Sequence, residues 1–105
     1  MPVTDEQLKE LVKRIVETSH PIRIILFGST VRGEAGFESD IDVLVVVADG
    51  THRRNTARNI YRSLAGFIVP VDVVVATVSD LEKYHDSPGL IYRGALREGK
   101  ELYAA

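Results

Sequence analysis

The sequence predicts an α/β (α+β) fold in which helices pack on a small mixed β-sheet. Residues 24–27 and 41–47 form apolar runs with the length and β-branched content of buried strands. A third apolar run covers residues 69–76, and the segment 51–65 before it is long enough for a crossover helix. Parallel strands need such a crossover, so we expect the second and third strands to be parallel.

The N-terminal part of the chain is predicted to form a helix from Thr4 to Thr18, because Thr4 and Gln7 make a capping-box pattern. Its apolar residues recur at helical spacing and define the face that would cover the sheet: Leu8, Leu11, Val12, Ile15 and Val16. The dipeptide His20-Pro21 ends this helix, and residues 22–27 form the first strand.

The middle of the chain supplies the predicted centre of the sheet. Residues 41–47 are apolar on both faces, which is typical of a central strand. The crossover helix is predicted to start at about Thr51, and the third strand covers residues 71–76. The side chains that this helix would bury are Ala57, Ile60, Tyr61 and Leu64.

The C-terminal part is predicted to hold two more helices and an edge strand. Ser79 to Glu82 makes a second capping-box pattern and opens a short helix. A last helix is predicted over residues 90–98, with Gly99 at its end, and residues 101–103 form a short edge strand.

Composition limits the classes of function. We expect residues 1–105 to form a single domain with one core. The formal charge of −2 argues against direct nucleic-acid binding, which needs many contacts from Lys or Arg to phosphate. The chain has no cysteine, which excludes disulfides and fits a cytoplasmic protein. No signal-peptide pattern and no apolar run of ~20 residues is present, so no membrane association is expected.

Polar residues mark the ends of the predicted strands. Asp40 and Asp42 open the second strand and face the same way, because side chains alternate along a strand. Two buried carboxylates are costly unless a cation lies between them, and a divalent metal is the simplest candidate. Ser29 follows the first strand, so it can join them only if these two strands are antiparallel. Asp72 opens the third strand, and the predicted sheet brings it to the same rim as Gly28, Ser29 and the first two aspartates.

The turn after the first strand has the Gly-x4-Gly spacing of a phosphate-binding P-loop, but Glu34-Ala35 stands where that motif needs Lys-Ser/Thr. We therefore reject the P-loop interpretation. Gly28 instead allows a triphosphate to approach the backbone, and the Ser29 hydroxyl can donate to phosphate oxygens. Arg32 is either a phosphate contact or a solvated loop charge.

Together these residues carry a family resemblance. Gly28-Ser29, ten intervening residues, Asp40-Ile41-Asp42 and the later Asp72 resemble the nucleotidyltransferase domain of the DNA polymerase β superfamily. The length resembles that of minimal nucleotidyltransferases, which are often encoded beside a HEPN-domain partner and act as antitoxins. The resemblance covers residues 22–103. Many minimal members carry Arg directly after Gly-Ser, and here that residue is Thr30.

The resemblance implies a polymerase-β-like fold and transfer of a nucleoside monophosphate, AMP from ATP or the equivalent from another NTP, to an acceptor hydroxyl. It implies that Asp40, Asp42 and Asp72 are catalytic and bind two Mg²⁺ ions, or Mn²⁺, and that Gly28, Ser29 and Arg32 bind the nucleotide. The implied acceptor is a tyrosine of a HEPN-domain toxin, with which the chain would form a hetero-oligomer.

Two other functions stay open at this point. One is neutralisation of the partner by contact alone, and the other is catalysis, as one subunit, on an RNA or small-molecule acceptor. Three arginines at helical spacing, Arg54, Arg58 and Arg62, suit RNA or an acidic partner, although a solvated helix face is the favoured interpretation. The histidines lack metal-ligand spacing, and capping or surface roles are expected for them: His20, His52 and His85.

Overall fold

The structure, a computed structural model, describes residues 3–28, 31, 40–87 and 90–105. Within these residues the strands are β1 (Arg23–Phe27), β2 (Ile41–Val47), β3 (Val71–Thr77) and β4 (Lys100–Ala104). The helices are α1 (Asp5–Ser19), α2 (Arg53–Ser63), α3 (Val78–Tyr84) and α4 (Ile91–Glu98).

The four strands form one mixed sheet in the order β3-β2-β1-β4. β1 is antiparallel to β2 and to β4, whereas β2 and β3 are parallel. The predicted mixed α+β sheet is confirmed, including the central position of β2, the crossover through α2 and the C-terminal edge strand.

Helices cover both faces of this sheet, because β2 is apolar on both sides. On the α1/α2 face, buried side chains of the strands pack against Leu11, Ile15 and Ile60. On the α3/α4 face, Leu44 and Ala95 belong to a second, smaller core. Since side chains alternate along a strand, neighbouring residues of β2 contribute to opposite cores.

The N-terminal helix has the predicted capping box at Thr4 and ends at Ser19, one residue later than predicted. The Thr4 hydroxyl accepts the Gln7 N–H at 3.1 Å, and the Gln7 side chain accepts the Thr4 N–H at 2.9 Å. His20 ends α1 in a left-handed conformation, with φ of 46°. Among the described residues, no helix is long and apolar enough to cross a membrane.

The prediction of a capping box at Ser79 and Glu82 is wrong, because the capping box of α3 lies two residues earlier. Thr77 is the N-cap, and Asp80 closes the box by accepting the Thr77 N–H at 3.0 Å. The reason is that β3 passes into α3 without a loop, so the last strand residue caps the helix. Ser79 donates instead to Asp49, from its N–H at 2.9 Å and from its hydroxyl.

The crossover helix α2 also differs in one predicted core residue. Ile60 is buried, and Ala57 and Leu64 pack beside the core, but Tyr61 is 47% exposed. Its hydroxyl accepts the N–H of Val73 at 2.8 Å, so Tyr61 reaches over the edge strand β3 instead of entering the core. The helix begins at Arg53, and the Nδ1 atom of His52 accepts the Asn55 N–H as its N-cap, as expected for a capping histidine.

Candidate active site

The register of the sheet brings the predicted site residues to one edge. Phe27 pairs with Asp42, and Asp42 pairs with Asp72. β1 therefore ends where β2 and β3 begin, and Gly28 follows directly after the paired row. Neighbouring strands lie about 4.7–4.9 Å apart, so the backbones of Asp42 and Asp72 are that close.

Asp42 and Asp72 project from the same face of the sheet. Two residues further along each strand, Leu44 and Val74 both pack in the core of the α3/α4 face. Because side chains alternate with a period of two, the two aspartates lie on that face as well. Asp42 is partly buried and Asp72 is exposed, so solvent reaches the Asp72 side of the pair more readily than the Asp42 side.

Asp40 precedes β2 by one residue and is partly buried. The next residue, Ile41, donates its N–H to the carbonyl of Pro70 at 2.9 Å, which fixes the approach to β2 beside the approach to β3. Asp40 therefore lies at the same edge of the sheet as Asp42 and Asp72. Among the described residues, no group of three Asp, Glu or His side chains is arranged to hold a metal ion, so joint metal binding by all three aspartates stays a prediction.

Gly28 is packed against the carboxylate of Asp42. Its φ is +82°, a left-handed conformation that favours glycine. A Cβ at this position would collide with Oδ2 of Asp42 and lie 3.2 Å from its Cγ. The absence of a side chain thus makes room for the carboxylate, a role that sequence reasoning missed because it assigned Gly28 only to phosphate approach.

Phe27 is a second residue that sequence reasoning did not single out. It pairs with Asp42 and packs partly against the core of the α3/α4 face. It gives the edge an apolar wall next to the carboxylate. Only its position directly before Gly28 could have indicated this from the sequence.

Ser29 and Arg32 lie outside the described residues, as do Thr30, Gly33, Glu34 and Glu38. Their predicted contacts with phosphate therefore stay predictions. Gly28, Asp40, Asp42 and Asp72 are the predicted site residues that the structure describes, and it brings all four to one edge of the sheet.

Other carboxylates with distinct environments lie at the opposite end of β2 and β3. The hydroxyl and the N–H of Ser79 donate to Asp49 and hold the pKa of that carboxyl below its ordinary value. The N–H of Thr77 lowers the pKa of Asp80 in the same way, and Arg53 contributes an ion pair of 2.9 Å. Burial raises the pKa of Tyr92. These groups join helices to the sheet, and the candidate site lies at the other end.

The chemistry of the edge suits a hard divalent cation. Its candidate ligands are carboxylate oxygens, which Mg²⁺ and Mn²⁺ prefer over softer donors. Asp42 and Asp72 face the same side of adjacent strands, and Gly28, which has no side chain, makes room for the Asp42 carboxylate. The residues present therefore fit such an ion.

The model of the nucleotidyltransferase domain family matches residues 6–100 of the chain. The protein belongs to this family, and transferase activity is its class of chemistry. Members of the family generally use divalent metals. No curated protein matches the sequence at a significant level.

Several solved structures have a similar fold. A protein from Sulfolobus solfataricus assigned as a nucleotidyltransferase superposes with a TM-score of 0.64 at 20% identity, over 94% of this chain and 78% of that one. A toxin–antitoxin structure with AMP-PNP has a TM-score of 0.57 at 22% identity, over 98% and 75%. A tri-AMPylated Shewanella oneidensis HEPN toxin in complex with an MNT antitoxin has a TM-score of 0.57 at 20% identity, over 95% and 71%. At these identities the comparison shows a shared fold.

Proposed function

We propose that this domain transfers AMP from ATP to a tyrosine hydroxyl of a HEPN-type toxin and thereby acts as its antitoxin. The observation that carries the proposal is the row Phe27–Asp42–Asp72, which gathers carboxylates from two strands beside Gly28. The family supports nucleotidyl transfer. A HEPN toxin as acceptor is supported by the similar fold in a complex of an MNT antitoxin with a tri-AMPylated toxin.

In the proposed reaction, the acceptor oxygen bonds to the α-phosphorus of ATP as the bond to pyrophosphate breaks. A bound divalent cation would neutralise phosphate charge and favour ionisation of the acceptor hydroxyl. Asp40 and Asp42 would hold the ions, for which we propose two Mg²⁺. Asp72, the more exposed carboxylate, would ligate the ion that activates the acceptor oxygen and would take the acceptor's proton. Ser29, Arg32 and the backbone at Gly28 would bind the phosphates.

The test is labelling of the purified product of the adjacent reading frame with α-labelled ATP. Asp42→Asn keeps the shape of the side chain and removes its charge, so labelling should fall by several orders of magnitude. Ser29→Ala removes one hydrogen bond to a charged group, worth about 1.5–3 kcal/mol, so it should lower the rate by roughly tens-fold. Labelling by Asp42→Asn at near wild-type rate would show that the assignment of the carboxylates is wrong.

The same variant separates the proposed enzyme from a protein that neutralises its partner by contact alone. If Asp42→Asn labels nothing and no longer suppresses toxicity in cells, neutralisation is enzymatic. If it labels nothing and suppresses toxicity fully, contact is sufficient. Labelled RNA or small molecules, with no labelled protein, would indicate the third function, a catalytic subunit for another acceptor.

A further inference from the structure

We propose that residues 64–71, here called the docking segment, form the surface on which the acceptor protein binds, with Ile68 as its anchor and Arg62 at its rim. This inference rests on the proposed function, because it assigns a place to the protein that carries the acceptor hydroxyl. The segment connects the end of α2 to the start of β3.

The docking segment lies at the same end of the sheet as the candidate active site, but its partly buried side chains pack on the α1/α2 face, whereas Asp42 and Asp72 lie on the α3/α4 face. The carbonyl of Pro70 accepts the N–H of Ile41, so the segment runs next to the backbone between Asp40 and Asp42. Ile68 lies four positions before Asp72, which limits their Cα distance to about 14 Å. A standard interface buries about 800 Å² on each partner, a patch roughly 30 Å across. A protein that delivers a hydroxyl to this edge is therefore wide enough to reach around the edge to Ile68.

The composition of the segment favours a protein as the occupant. Residues 64–71 read Leu-Ala-Gly-Phe-Ile-Val-Pro-Val and contain no charged or hydrogen-bonding side chain. Ile68 is 88% exposed, the highest value among the exposed large hydrophobic side chains that the structure describes. Nucleic-acid interfaces are polar and strongly positive, whereas the centre of a protein interface is depleted in charge.

Contacts with Arg14 of α1 hold the docking segment in place. The Nη1 atom of Arg14 donates to the carbonyls of Ser63 and Ala65 at 3.3 and 3.1 Å. The guanidinium group lies 5.6 Å from the ring centroid of Phe67, which packs against the core. Phe67 is therefore fixed inward while Ile68 stays outside. A surface that is already ordered loses less conformational entropy on binding.

The charges beside the segment specify its partner further. Arg54, Arg58 and Arg62 are exposed, and within the described part of the chain they form no hydrogen bond or ion pair. Arg62 lies in the last turn of α2, next to the segment, whereas Arg54 is about 12 Å further along the helix. Glu6 is exposed and lines the same pocket as Ile68. The partner surface that complements this arrangement is an apolar recess for Ile68, with a basic group facing Glu6 and a carboxylate facing Arg62.

The experiment measures the affinity of the purified adjacent-frame protein for variants of this chain. Ile68→Asp should weaken binding at least tenfold, as expected for a central apolar anchor. Ile91→Asp is the matched control, since Ile91 is 44% exposed and is the first residue of α4, outside the docking segment. This variant should change the affinity less than twofold. Arg62→Glu should weaken binding more than Arg54→Glu. All four variants should keep the wild-type thermal shift with Mg²⁺ and ATP.

The outcomes distinguish this inference from the proposed function. Wild-type affinity of Ile68→Asp would overturn the docking segment even if the partner is labelled. Binding that Ile68→Asp abolishes, without labelling by the wild type, would support the segment and overturn the transfer reaction. A wild-type chain that does not bind this protein, or an Ile68→Asp variant that only loses self-association, would overturn the inference. Loss of binding to a single-stranded RNA probe in Arg62→Glu, with unchanged protein binding, would do so as well.

Discussion

Gly28 and Gly50 have similar left-handed backbones, with φ of +82° and +89°, but different surroundings. A Cβ at residue 28 would collide with Asp42, whereas one at residue 50 would meet no atom within 4 Å. We expect Gly28→Ala and Gly50→Ala each to lower the free energy of unfolding by about 1–2 kcal/mol, the cost of a left-handed alanine. Only Gly28→Ala should also displace the carboxylate, and nucleotide transfer should then fall at least tenfold.

The comparison is made by urea unfolding and by transfer rates at a temperature at which both variants are folded. Gly50→Ala should retain at least half of the wild-type rate. Equal losses of activity in the two variants would contradict a specific role of the space beside Asp42, because the backbone penalty alone would then account for both.

At the level of single residues, the sequence predicted which carboxylates share an edge but not how they are packed. Asp40 and Asp42 differ by two positions, and this spacing determines the face of a strand. The contact between Gly28 and Asp42 depends on the strand register and on a side-chain rotamer, which spacing does not determine.

At the level of elements, the start of α3 depends on an ionised carboxylate. Asp80 accepts the Thr77 N–H, which holds the pKa of Asp80 below its ordinary value. A lowered pKa contributes stability above the unfolded value of about 3.9, and this contribution is lost as the pH falls through the folded pKa. Between pH 6 and pH 3, Asp80→Asn should therefore lose less stability than the wild type.

This pH dependence is measured by urea unfolding at both pH values. Glu82→Gln is the control, because Glu82 is an exposed carboxylate on the same helix, and it should follow the wild-type profile. At pH 7, Thr77→Ala should cost about 1 kcal/mol, since it removes the N-cap. An Asp80→Asn profile that coincides with that of the wild type would contradict the proposed role of the ionised Asp80.

The same helix shows why local patterns predict elements better than their ends. Two candidate N-caps, Thr77 and Ser79, lie two residues apart, and each is followed by an acidic residue at the capping-box position. Their local patterns are equivalent, so the choice depends on where β3 stops pairing with β2, which is at Thr77. Tyr61 was likewise predicted to be buried from its helical spacing, but it is exposed, and its hydroxyl accepts the N–H of Val73 on the edge strand β3.

At the level of the whole molecule, the site exists only in the folded chain. Asp42 and Asp72 are thirty positions apart in sequence and become neighbours through the parallel pairing of β2 with β3. The sequence predicted this topology because a crossover helix separates the strands and because polar residues open both of them. A ligand that contacts both aspartates should therefore bind the native state and not the unfolded chain.

The expected consequence is a thermal shift that needs nucleotide and metal together. At an ATP concentration a hundred times Kd, with Mg²⁺, binding to the native state adds about 2.7 kcal/mol. For a domain of this size, that raises Tm by on the order of 10–20 °C. Mg²⁺ alone should shift Tm only weakly, because it gives up its waters reluctantly and usually binds proteins together with substrate phosphates.

Scanning fluorimetry of the wild type and two variants tests whether this shift comes from the candidate site. Asp42→Asn should lose most of the nucleotide-dependent shift, since it removes a charge from the row beside Gly28. Asp86→Asn, which changes an exposed carboxylate after α3, should keep the full shift. Because this readout does not involve turnover, it tests nucleotide binding even if the acceptor is not a tyrosine. If the wild type shows no shift with Mg²⁺ or Mn²⁺ and any NTP, the edge formed by Gly28, Asp42 and Asp72 is not a nucleotide site.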